Sequence, residues 1–81
     1  MADEQVSERI EALVQEEHEL LERGGTQRGL DEAGHARLET IRVELDRYWD
    51  LLRQRRARRR AGQDPEGASP RDADTVEHYL Q

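Results

Sequence analysis

Cysteine is absent from this 81-residue sequence, which excludes disulfides, thiolate metal sites and thiol catalysis together. Phenylalanine and lysine are also missing, and the aromatic side chains are one Trp and two Tyr. A chain so poor in large side chains has a thin core, and its length is marginal for folding alone. The two prolines, Pro65 and Pro70, fall together in one late glycine-containing stretch. No apolar run approaches the roughly 20 residues of a membrane span. Met1 opens onto Ala2, Asp3 and Glu4, the reverse of a basic signal-peptide start. A soluble, cytoplasmic chain without a membrane partner is the expectation.

What is abundant is charge, at 40% of residues, with a net value of -6. It is laid out in three blocks. Residues 1–22 hold eight acids against Arg9 alone. Residues 53–60 read RQRRARRR, six arginines with no acid among them. Residues 63–81 carry Asp64, Glu66, Asp72, Asp74 and Glu77 against Arg71. Such asymmetry says which parts of the chain attract one another, and which are available to a partner.

Apolar spacing predicts two helices. Val6, Ile10, Leu13, Val14, Leu20 and Leu21 recur at threes and fours, which fits a helical face and fails as strand alternation. This helix spans 3–23 and stops at Gly24-Gly25. A turn over 24–30 leads to a second helix, 31–61, with Asp31 placed to accept from the free amides of its first turn. Leu38, Ile41, Leu45, Tyr48 and Leu52 then form a heptad seam, and Arg55 and Arg59 take its next two positions. The hairpin is thus 1–62, followed by an acidic linker and short C-terminal helix over 63–81. Val76, Tyr79 and Leu80 would give that last helix a small apolar face.

A turn centred near residue 27 pairs Leu13 with Ile41 and Val6 with Tyr48. The first helix then ends opposite residue 50 or so. Residues 53–60 should therefore project about 15 Å beyond the two-helix body and not lie along the acidic first helix. Val14, Leu21 and Trp49 widen the apolar stripe past a narrow seam, and a stripe so wide suits a bundle of three or four helices. The expected fold is all-α: an antiparallel hairpin with a long second helix and a partly ordered tail, forming a four-helix bundle as a homodimer. In the alternative, the C-terminal helix supplies the missing cover within one chain.

Chemistry finds little footing. No serine has a His/Asp partner set, the carboxylates have no pocket to perturb them, and the glycines match no phosphate loop. His18 and His35 fall near each other across the turn, with Glu22 and Glu39 one turn away. The carboxylate-histidine pattern of bundle metal sites needs Glu-x-x-His on two helices, and only His35, with Glu32, complies. Ordinary edge-of-stripe histidines are the better reading, so neither metal nor cofactor is expected, and no enzyme. The arginine run is the strongest local signal. Arg53, Arg55, Arg56, Arg58, Arg59 and Arg60, with Tyr48 and Trp49 as aromatic anchors, are the candidate partner-binding residues. Pairing with the acidic tail or a mate's first helix comes first, and an acidic protein partner is the external candidate. Nucleic acid is the alternative, since the arginines encircle the helix, aromatics are not interleaved and the chain is acidic.

Leu30, Asp31, Glu32, His35, Ala36, Arg37 and Leu38, then residues 43–46 and the run WDLLRQRRARR over 49–59, form a recognisable pattern. With Val76, Glu77, Tyr79, Leu80 and Gln81 at the end, it resembles an uncharacterised family of short actinobacterial proteins, a domain of unknown function. The first helix matches that family more loosely, and Gly34 stands where a helix-forming acid is expected. The resemblance implies an actinobacterial cytoplasmic origin and carries no activity, ligand or catalytic residue. A small interaction or adaptor protein is the function these observations favour. An accessory factor for RNA, the ribosome or transcription is the alternative.

Overall fold

A computed structural model describes residues 2–24, 29–72, 74 and 76. Two helices dominate it: α1, Asp3–Gly24, and α2, Glu32–Arg60. They pack side by side as an antiparallel hairpin, and no strand occurs among the described residues. The ends of both helices are fixed by local chemistry. At the start of α1 the Gln5 side chain reaches back to accept from the Ala2 amide at 2.8 Å, half of a capping box. Asp31 caps α2 as its sequence position implies, its carboxylate accepting from the Gly34 amide at 2.7 Å. At the far end Gly62 turns the chain with φ +74, a conformation that glycine adopts without steric cost. The Gly62 amide then donates to the Arg59 carbonyl (3.1 Å) and the Gln63 amide to Arg58 (2.7 Å). Those two bonds form the Schellman closure of α2.

The stretch after Gly62 is docked onto the hairpin. Pro65–Gly67 forms a 3-10 turn, η1, capped by Asp64, whose carboxylate accepts from the Glu66 amide at 3.0 Å. The chain then runs back along α2. Ala68 and Val76 are buried, the latter 1% exposed. Arg47 and Gln54 donate to the carbonyls of Arg71 (2.8 Å) and Ser69 (3.1 Å), so side chains of α2 satisfy two backbone acceptors of the returning segment. Residues 77–81, including the expected contributions of Tyr79 and Leu80, lie outside the described residues.

The main core is a small cluster at the open end of the hairpin: Val6 and Ile10 from α1, Leu51 from α2 and Ala68 from the tail. Leu45, Tyr48 and Leu52 are packed against it. Leu38 and Ile41 are buried nearer the turn. Two faces of α2 are thus in use, one toward α1 and one toward the tail. The tail supplies part of the cover that sequence reasoning assigned first to a second copy. The third face of α2 stays open.

Candidate interaction surface

The arginine run begins at the seam. Arg55 takes the seam position after Leu52, where the helix pair would otherwise bury an apolar side chain, and it is 4% exposed. A buried guanidinium needs acceptors on every side, and it has them from two other elements. Its Nε donates to Asp3 of α1, Nη1 donates to the Pro65 carbonyl at 3.2 Å, and Nη2 meets Glu66 at 3.1 Å. Arg59, one turn on, pairs with the second oxygen of Asp3 at 2.8 Å. Arg59 first, and then Arg55, hold the Asp3 carboxyl down to about 2. The same contacts raise Arg55, with Asp3 as the larger influence. Arg58 lies over η1, so close that a Cβ at Gly67 would sit 2.5 Å from its Nη1.

For Arg55 and Arg59 this overturns the expected projection of the run away from the first helix. Two effects account for it. The helices end at Gly24 and begin at Glu32, so the connection is centred later than residue 27, and each residue of displacement moves the facing position by two. Arginine side chains on a helix also lean toward its N-terminus, which carries the Arg55 and Arg59 guanidinium groups back over the end of α1.

The same rule of acid on α1 and base on α2 operates down the hairpin. Glu16 receives Arg37 in a forked pair at 2.5 and 2.6 Å, which lowers Glu16 and raises Arg37. Glu17 meets Arg42 at 3.4 Å. On the tail side Asp50, 4% exposed, accepts from Gln54 at 2.9 Å and pairs with Arg71 at 3.3 Å. Asp3, Asp50, Glu66 and Arg71 were not singled out by sequence reasoning. The available signal was the pair of arginines continuing the apolar seam, since a cation at such a position calls for an acid across from it.

What remains of the run is a single line. Arg53, Arg56 and Arg60 are exposed and make no ion pair among the described residues. With Trp49, 48% exposed, they follow at i, i+4, i+7 and i+11 along the open face of α2. The structure therefore divides the sequence-derived set. Arg55, Arg58 and Arg59 are built into the fold and Tyr48 is half-buried against the core, while Trp49, Arg53, Arg56 and Arg60 face outward.

Other candidate chemistry disperses. His18 pairs with Glu22 on its own helix at 3.1 Å, and the described residues contain no group of three potential metal ligands. A groove of about 450 Å³ beside the turn is lined by Leu20, Arg23, Leu30, Asp31 and Arg37 among others. Its Asp31 carboxylate already caps α2, and Arg37 already holds Glu16. No helix among the described residues is long and apolar enough to cross a membrane.

Comparison with known proteins places this arrangement. The family model "Protein of unknown function (DUF2630)" matches residues 2–81. The chain belongs to the DUF2630 family. This DUF2630 chain is similar to "Uncharacterized protein Rv0898c" of Mycobacterium tuberculosis (strain ATCC 25618 / H37Rv) and to "Uncharacterized protein Mb0922c" of Mycobacterium bovis. Each is 44% identical over 80 residues, covering 95% of this chain and 88% of the relative. These relatives are actinobacterial, as the sequence pattern implies. No solved structure matches.

Proposed function

We propose that this DUF2630 protein is a small non-enzymatic interaction or adaptor protein, working as a homodimer and engaging acidic protein surfaces through the outward face of α2. One observation carries this reading: internal pairing removes Arg55 and Arg59 from the run and leaves Trp49, Arg53, Arg56 and Arg60 on one exposed line. An aromatic anchor flanked by guanidinium groups is the composition of an interface hot spot, and arginine forks two bonds onto a carboxylate. The described carboxylates with a perturbed pKa are held low by cationic partners, the reverse of the raised carboxyl that general acid catalysis uses.

A second reading follows from the same line. With the arginines that face α1 and the tail set aside, the cations no longer encircle α2 and an aromatic stands beside them, which is closer to a single-strand binding surface than the bare sequence implied. The net charge of -6 and the eight acids of the first 22 residues weigh against it, because they repel phosphates.

Trp49 is the sole tryptophan and reports on its own face. Titration with a Glu-rich amphipathic peptide should shift its fluorescence to the blue in a saturable way. The R53Q/R56Q/R60Q variant, which removes no contact within the described fold, should lose that response. Silence toward the peptide, combined with tight, steeply salt-dependent binding of single-stranded RNA or duplex DNA, would replace the first reading with the second.

A further inference from the structure

Two exposed lines of side chains match one another in order. Along α2, Trp49, Arg53, Arg56 and Arg60 are separated by 4, 3 and 4 residues. Along α1, read backward, Val14, Glu11, Glu8 and Glu4 are separated by 3, 3 and 4. Val14 and Trp49 are the large apolar residues left most open, 46% and 48% exposed. The three acids, like the three arginines, are exposed and unpaired among the described residues.

We propose that the acidic surface engaged by the α2 line is α1 of a second copy of this chain, aligned antiparallel. Trp49 then sits on Val14, Arg53 on Glu11, Arg56 on Glu8 and Arg60 on Glu4. This rests on the interaction reading above and names its partner. Side chains on both helices lean toward their own N-termini, so in an antiparallel pair an arginine converges with a glutamate whose backbone lies nearer the arginine helix's N-terminus. The same acid-to-arginine pairing of α1 with α2 already operates within one chain, where Asp3, Glu16 and Glu17 receive arginines of α2. Twofold symmetry forms the contact twice, each copy giving one α1 line and one α2 line, and the two hairpins become a four-helix bundle.

Coverage favours the same partner. A foreign acidic protein would cover the arginines and leave Val14 and the glutamates of α1 bare. A second copy covers both.

Sedimentation equilibrium with charge-swapped variants tests the assignment. The natural chain should sediment at twice 9.5 kDa. R53E/R56E/R60E and E4R/E8R/E11R should each sediment as monomers while retaining helical circular dichroism, and an equimolar mixture should regain the dimer mass. W49A should raise the dimer dissociation constant by about tenfold or more. Monomer mass for the natural chain at every accessible concentration overturns the proposal. So does failure of the two folded swap variants to associate. A monomer would also remove the homodimer from the reading above, but either result leaves the peptide titration free to uphold binding of acidic surfaces by the α2 line, so that part of the reading fails separately.

Discussion

Arg55 is the side chain on which three parts of the chain converge, and its consequences are electrostatic. Asp3 is the acid most strongly affected: hydrogen bonds from Arg59 and Arg55 bring its carboxyl from 3.8 down to about 2. A carboxyl whose folded value lies below its unfolded value contributes stability above the unfolded value. That contribution is lost as pH falls toward the folded one. Melting temperature should therefore fall between about pH 4 and about pH 2, with Glu16, lowered by Arg37, adding in the same direction. Thermal melts of Asp3→Asn across that range should show a shallower pH dependence than the natural chain and a lower melting temperature at neutral pH. An unchanged slope would mean that the Asp3 contacts do not couple to folding. Asp3 is 42% exposed at its side chain, so salt should weaken its share, while Arg55, at 5%, stays shielded.

At the scale of elements, the tail acts as a third layer. Leu51 lies where α1, α2 and the tail meet, 1% exposed beside Val6, Ile10 and Ala68. Leu51→Ala should cost about 2–5 kcal/mol, the usual range for emptying a packed leucine site. Chemical denaturation should place it well above Val14→Ala, whose site is open within one chain. If the two cost the same at concentrations where the chain is monomeric, the packing of Leu51 against α1 and the tail does not hold in solution. The returning segment also helps α2 tolerate a buried Asp50: beside Gln54 of α2 itself, Arg71 supplies a donor that an isolated hairpin would lack.

For the whole molecule, the hairpin was legible because apolar residues recur at helical spacing and because Gly24-Gly25, Asp31 and Gly62 punctuate it. The cap at Asp31 and the stop at Gly62 follow from local chemistry, which a sequence states directly. The fate of the arginines was not legible. Whether Arg55 projects or is buried depends on a displacement of one or two residues in hairpin register, and nothing local to residues 53–60 records that. Nor does the stretch from Gly62 to Pro70 announce its docking. Its composition is that of a linker, and only Ala68, a small side chain, enters the core. The outward face that carries the functional proposal could be read only after the inward arginines had been subtracted.

The ion pairs along the hairpin also differ in the length of chain they close. Glu16 and Arg37 are 21 positions apart, whereas Asp3 and Arg55 are 52 apart. Closing the longer loop costs more chain entropy, so pairs near the bend form with less loss than those at the open mouth. The molecule should zip from the bend and fray from the mouth. Amide exchange read residue by residue should then find the first turn of α1 and the Pro65–Gly67 turn losing protection together, ahead of the amides around Leu38 and Ile41. Simultaneous exchange at both ends would show instead that the rod opens as one piece.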